Sequence, residues 1–244
     1  MLDRHSPTPL HLQLEEVIKN RIENDEWQPN TQIPSENELS KIYGLSRMTT
    51  RAVIMRLVFQ GLLYRVAGKG TFVADPKITN KPLLQMGIQE QLDQMGIESE
   101  TRLLEIRQIA APVRVQKELD LPAGAKAYAI ERLRTIKGEP LSIHMSYIPA
   151  ELCPGLEKQE FEREQLCDIL ETGYRLKTAR VVETLESSLA TAREAELLGV
   201  KPGFTLLRLE NTVYTADDMP YEYSRIVFRG DKIKIKLEFN RPQA

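Results

Sequence analysis

Apolar positions along this chain keep a helical spacing at first, then alternate, and the changes of rhythm mark its elements. Leu10, Leu14, Val17, Ile18 and Ile22 recur at helical spacing, which predicts an amphipathic helix over about residues 9–24. Pro29 and Pro34 end that pattern. Ser35 and Glu38 stand in capping-box relation and Gly44 supplies a stop, so a short second helix lies between them. Ser46 caps a third helix, in which Thr50, Val53, Ile54 and Leu57 share one face while Arg47, Met48 and Arg51 occupy another; Gly61 terminates it. Two strand-like runs follow, Leu62 to Val66 and Thr71 to Ala74, joined by Ala67-Gly68-Lys69-Gly70. Helix, turn, helix and then a hairpin is an arrangement that reads DNA: the third helix would enter the major groove and the thin cationic tip would lie along the neighbouring minor groove.

The pattern breaks at Pro76 to Pro82, a polar, proline-bounded stretch without a period. The expected organisation is therefore a first domain over 1–75, a linker over 76–82 and a second domain over 83–244. Beyond the linker two segments echo each other. Lys117 to Leu121 leads to Gly124, a strand, a turn and Glu139-Pro140-Leu141; Glu196 to Val200 leads to Gly203, a strand, a turn and Met219-Pro220-Tyr221. Gly203 follows Gly124 by 79 positions and Pro220 follows Pro140 by 80. Each unit reads as a short helix and a β-hairpin, and two hairpins pooled into one antiparallel sheet with helices on one side make an α+β domain.

Composition fits this picture without adding to it: 244 residues, 41% hydrophobic and 28% charged, fit two modest globular domains. The longest apolar runs, Ala52 to Met55 and Ala127 to Ile130, are far too short to span a membrane. The N-terminus lacks a secretory pattern, so a cytoplasmic location without membrane association is expected. Cys153 and Cys167 are expected to be free thiols, and His5, His11 and His144 lack metal-ligand spacing, so neither a metal nor a cofactor is expected. Charge does change the picture. The net charge of -2 conceals a stretch from Leu39 to Ala74 with six Lys or Arg and no Asp or Glu, the one-sided footprint of a phosphate-facing surface.

The strings Ile33-Pro34-Ser35-Glu36-Asn37-Glu38-Leu39, Leu45-Ser46-Arg47-Met48-Thr49-Thr50-Arg51, Gly61-Leu62-Leu63-Tyr64-Arg65 and Gly68-Lys69-Gly70-Thr71-Phe72-Val73 closely resemble the winged helix-turn-helix of GntR-family transcription regulators. The resemblance implies DNA contacts at the position of Asn37, usually an arginine, at Arg47 and Arg51, and at the wing glycine Gly68. With Thr49 between the arginines and Lys69 on the tip, the expected DNA-binding set is Asn37, Arg47, Thr49, Arg51, Gly68 and Lys69. Asparagine favours adenine where arginine favours guanine, so Asn37 shifts the expected base preference. Arg56 and Arg65 read as solvated or phosphate-steering, and Thr50 as core.

The second domain resembles the UTRA effector-binding domain of the HutC subfamily, a fold similar to chorismate lyase, chiefly at Arg132-Leu133-Arg134, Ile148-Pro149, Glu222 and Arg229-Gly230-Asp231. A strand over about Lys126 to Ile136 puts Arg132 and Arg134 on one face as a fork for an anion; Ser142, His144 and Ser146 share a face of the return strand, as do Glu222 and Ser224 in the second repeat. In relatives that bind phosphorylated amino sugars such positions surround the ligand. The expected effector-binding set is Gln89, Arg132, Arg134, His144, Gln165 and Glu222. Departures accompany it: Gly87-Ile88-Gln89 stands where those relatives have a hydroxyl-bearing phosphate-contacting stretch, His144 where they have a glutamate, and Gln165-Leu166-Cys167 where they have Ser-Leu-Tyr. These losses argue against the same ligand held in the same way.

The reading is thus a non-enzymatic DNA-binding regulator, expected to be a repressor, that binds palindromic operator DNA as a homodimer and is released by a small metabolite such as a sugar phosphate or related anion. Two alternatives belong to other classes. A small-molecule enzyme of chorismate-lyase-like fold lacks any nucleophile, phosphate-loop, metal or acid–base motif here, and a winged helix used purely for protein contacts sits poorly with the acid-free stretch around Arg47, Arg51 and Lys69.

Overall fold

The computed structural model describes residues 2–80, 92 and 96–235. The chain separates into two compact units, Met1–Ile78 and Thr79–Ala244.

The first unit contains α1 (Leu10–Glu23), α2 (Glu36–Tyr43), α3 (Arg47–Phe59) and a two-stranded hairpin of β1 (Leu63–Val66) and β2 (Gly70–Val73). Local chemistry sets the boundaries. Ser35 Oγ accepts from Glu38 N while the Glu38 carboxylate accepts from Ser35 N, satisfying two donors at the start of α2, and Gly44 ends that helix with φ 65°. Ser46 Oγ accepts from Thr49 N and begins α3. The inward faces meet in one core of Leu14, Ile18, Ile33, Leu39, Val53, Ile54, Leu57, Leu63 and Val73. Inside the stretch expected to be a linker, β3 (Ile78–Asn80) pairs with β10 (Ile233–Ile235); residues 81 and 82 lie outside the described residues.

The second unit is a six-stranded sheet of order β4-β5-β6-β9-β8-β7, each neighbouring pair antiparallel. Its strands are β4 (Ser99–Ala110), β5 (Lys126–Ile136), β6 (Glu139–Pro149), β7 (Arg180–Leu189), β8 (Thr205–Tyr214) and β9 (Pro220–Arg229). Along the chain they run β4, α4 (Val113–Glu118), β5, β6 and then β7, α6 (Ala192–Leu198), β8, β9. Each repeat therefore includes an outer strand that the hairpin pattern did not predict. β4 and β7 are the sheet's edges, without a buried residue in either strand and rich in Glu, Arg and Ser, so no apolar run announces them.

The duplication extends to individual bonds. Ala111 N donates to Ala125 O and, 79 positions on, Ala190 N donates to Phe204 O, both at 2.8 Å. Between the repeats, a short 3-10 turn (Leu156–Lys158) precedes α5 (Leu166–Asp168), which continues as a π-turn to Gly173. These segments pack on the sheet face of Tyr128, Ile130 and Ile148, whereas α4 and α6 pack on the opposite face against Ala127, Tyr223, Leu133, Ile143 and Val227. The expectation of helices on one side is corrected: the connection between the repeats covers the second face because that face is also apolar over half its width.

Each repeat helix reaches over the other repeat. Arg114 of α4 pairs with Glu210 of β8, and Arg193 of α6 pairs in bidentate fashion with Glu131 of β5. The two arginines are 79 positions apart and so are the two glutamates. Crossed helices of this kind close the sheet's two halves into one body, which neither half could achieve with a single exposed apolar face.

Candidate functional site

In the first unit the buried face of α3 is Thr50, Val53, Ile54 and Leu57, which turns Arg47, Met48 and Arg51 outward. Asn37 is exposed in the first turn of α2. Thr49 is half-buried, and its hydroxyl lies 2.8 Å from Ser46 Oγ, so it shares in the cap of α3. Five of the six cations of the acid-free stretch divide into two groups. Arg56 reaches the buried Glu15 at 3.1 Å, and Arg65 pairs with Glu36. Glu15 also receives Lys19 and Gln60; the hydrogen bond from Lys19 is the main reason its carboxyl is held below the usual carboxylate range. Arg56 and Arg65 thus tie elements together, whereas Arg47, Arg51 and Lys69 form no ion pair among the described residues. A cation without a protein partner is free to meet a phosphate or a base edge.

The hairpin tip is held from beneath. Gln32 Nε2 donates to the Lys69 carbonyl at 2.9 Å, and a Cβ on Gly70, whose φ is 133°, would lie 2.4 Å from that same nitrogen. Gly70 is therefore required for the brace. Gly68, at φ 73°, faces open space, so its backbone is free to approach a flat surface closely.

In the second unit, pairing of β5 with β6 puts Arg132 opposite His144 and Arg134 opposite Ser142; pairing of β6 with β9 puts Ser146 opposite Ser224. Period-two alternation keeps all of these, with Glu222, on one face. Arg132, Arg134, Ser142, His144 and Ser146 are all buried. Ser142 Oγ lies 2.9 Å from His144 Nε2, and Arg132 Nη2 reaches Ser146 Oγ at 3.5 Å. Arg132 Nε is buried with no hydrogen-bond partner among the described residues. Burial first, then the guanidiniums of Arg134 and Arg132, hold the His144 imidazole well below its ordinary 6.5. Burial also pushes Glu222 up, against the opposing pull of Arg132 and a hydrogen bond from Ser146.

Arg132 and Arg134 form part of the wall of a cavity of about 980 Å³, with Thr101 on β4 and Gln165 at the start of α5 also lining it. Cations and acids alternate around the mouth, where Arg102, Glu100, Glu162, Arg163 and Glu164 are all exposed. The deep positive charge thus sits on the wall while the rim is mixed. Of the expected effector set, Arg132, Arg134 and Gln165 line this cavity; His144 and Glu222 stand beside the arginines rather than on the lining; Gln89 lies outside the described residues. Thr101, opposite Arg134 in the β4–β5 ladder, escaped the sequence reading because only register brings its hydroxyl there. Cys153 is buried, and desolvation pushes its thiol to about 12, so it is not a thiolate at neutral pH; Cys167 is exposed.

Two family models match the chain: "Bacterial regulatory proteins, gntR family" over residues 10–73 and "UTRA domain" over residues 94–234. The chain is similar to the HTH-type transcriptional repressor NagR of Bacillus subtilis, 32% identical over 231 residues, 95% of each chain. It is also similar to the histidine utilization repressor of Pseudomonas putida, 26% identical over 238 residues, 96% of this chain and 94% of that one. Among solved structures it resembles PhnF from Mycobacterium smegmatis, with TM-score 0.67 and 25% identity over 95% of this chain and 99% of that one. No helix among the described residues is long and apolar enough to cross a membrane.

Proposed function

The chain belongs to the GntR family of bacterial transcription regulators and carries a UTRA effector domain, and on that premise we propose that it represses its target genes by binding a palindromic operator and is released when a small anion fills the UTRA cavity. Transcription regulation by DNA binding is the family's function, and enzymatic catalysis is not. The observation that carries the rest is the buried pair Arg132 and Arg134 on the wall of the 980 Å³ cavity. Burying a guanidinium is costly unless something answers its charge. Glu222 answers part of it, while Arg132 Nε has no partner among the described residues. A phosphate or carboxylate on a sugar-sized ligand supplies the remaining acceptors, and the volume suits such a molecule. Thr101 and Gln165 offer hydrogen bonds for its neutral part.

The DNA-binding set of Asn37, Arg47, Thr49, Arg51, Gly68 and Lys69 is proposed on the same footing, Thr49 acting chiefly by fixing the start of α3. A homodimer matches a palindrome. It is supported by edge strand β7, whose Val182, Leu185 and Leu189 are exposed and apolar. The names of relatives such as the histidine utilization repressor support repression. Release requires that the ligand bind more tightly to a conformer that cannot hold the operator.

The test is a thermal-shift screen across sugar phosphates, amino-sugar phosphates and small carboxylates, followed by operator titration with each hit. The reading expects a hit that raises the melting temperature, is lost in Arg132→Ala and weakens operator binding. A ligand that stabilises Arg132→Ala as well as the parent protein would place the effector elsewhere.

A further inference from the structure

The outward face of α3 carries more than two arginines. Opposite the buried Thr50, Val53, Ile54 and Leu57 lie Met48, Ala52, Met55 and Phe59, spaced as a single stripe down the helix. Met48 is 73% exposed, Met55 46% and Phe59 64%. A surface helix ordinarily turns polar groups to water, so an apolar stripe directly opposite the core marks a contact surface. Its first two members share the helix's first turns with Arg47 and Arg51, inside a stretch from Leu39 to Ala74 that contains no Asp or Glu.

An apolar strip edged with cations matches the major groove, where phosphates flank the floor and thymine presents the apolar C5 methyl. Methionine suits such a contact: it is long, unbranched and polarizable, and it lacks the donors that would read a hydrogen-bonding edge. Resting on the reading of α3 as the groove-entering helix, we infer that Met48 and Ala52 read thymine methyl groups, so that the preferred half-site carries T·A pairs beside those contacted by Arg47 and Arg51. Met55 and Phe59 continue the stripe toward the C-terminal end of α3. Phe59 lies 11 residues beyond Met48, about 16 Å further along the helix, and a groove-reading helix contacts base edges with its N-terminal residues. Phe59 therefore falls outside the readout and serves as a control.

The full-length protein would be used to select duplexes from a random-sequence library, and the selected duplex titrated with each thymine replaced in turn by deoxyuridine, which removes the methyl alone. One or two replacements should weaken binding about fourfold each, the worth of one buried methyl. Met48→Ala should lose that sensitivity at one of those positions. Phe59→Ala should keep it, and Arg47→Ala should keep it at lower overall affinity. An unchanged melting curve for Met48→Ala, whose side chain is exposed, shows that the variant is folded. Equal binding of every deoxyuridine duplex by the parent protein, or an equal loss in parent and Met48→Ala, overturns the inference. In that case a changed sedimentation coefficient of Met48→Ala or Phe59→Ala without DNA would identify the stripe as a protein contact. Failure to select any duplex would overturn the groove reading itself, and it is distinguishable because it precedes the deoxyuridine series.

Discussion

The two halves of the six-stranded sheet follow one backbone plan and carry different chemistry at matched positions. In the first half Arg132 stands opposite His144; 79 and 80 positions further on, Asn211 stands opposite Ser224. All four side chains are buried. Ser224 Oγ donates to Asn211 Oδ1, so each group answers the other. In the first half the hydroxyl that reaches His144 comes from its own strand, at Ser142, and Arg132 Nε has no partner among the described residues. A guanidinium presents five donors and an imidazole held neutral offers one acceptor, so the pair cannot close on itself. The pair left with unmet donors borders the cavity, whereas the matched pair of Asn211 and Ser224 lies off its lining.

The largest test of this contrast concerns how the halves hold each other. Arg193→Ala strands the deeply buried Glu131 and should lower unfolding free energy by about 3 kcal/mol in denaturant titration. Arg114→Ala removes the symmetry-related clamp, but its Glu210 keeps more contact with water, so the loss should stay below about 1 kcal/mol. Equal losses would mean that the clamps do not depend on depth. Next comes Arg132→Ala, expected to weaken effector binding about 30-fold by calorimetry, the value of charge-assisted hydrogen bonds.

The mirror substitution, Asn211→Ala, should behave in the opposite way. It leaves the Ser224 hydroxyl buried and unanswered, costing about 1.5 kcal/mol of stability, with effector affinity unchanged. Adding Ser224→Ala should recover most of the loss, and a double variant no better than the single would show that the pair is not the cause.

The last contrast is in pH dependence. Because the His144 pKa is depressed in the folded chain, the unfolded chain takes up a proton below 6.5 that the native state refuses. Its contribution to stability is complete above 6.5 and is lost as pH falls from there toward the native value, at up to about 1.4 kcal/mol per pH unit. Glu222 works in the opposite sense, since its pKa is raised from 4.5 and the folded form holds that proton longer; its contribution is present in acid and lost as pH rises through the raised value. His144→Gln should therefore lose less stability than the parent between about pH 7 and pH 5. Superimposable curves would assign the acid response to other groups.

Much of the first unit was legible because its signals are local. Ser35, Glu38, Gly44 and Ser46 act within one helical turn, and the predicted caps and ends are those observed. The fates of Arg56 and Arg65 were not legible: Glu15 lies 41 positions from Arg56 and Glu36 lies 29 from Arg65, and nothing within a helical period links them. In the second unit, alternation identified β5 and placed Arg132 and Arg134 on one face. It left β4 and β7 unseen, because edge strands need only half a face of apolar residues and these spend theirs on scattered positions.

Sequence by itself determined the helix–turn–helix, the hairpin with its glycine tip, the duplicated helix-and-hairpin units and the arginine pair, since each depends on neighbours within a few residues or on a repeat that can be counted. Tertiary structure alone decided that, among the described residues, Arg47 and Arg51 form no ion pair while Arg56 and Arg65 do, that each repeat's helix crosses to the other repeat, and that Thr101 joins the arginines at the cavity. These outcomes depend on strand register and on burial across long separations, where a one-residue slip would turn every side chain to the other face.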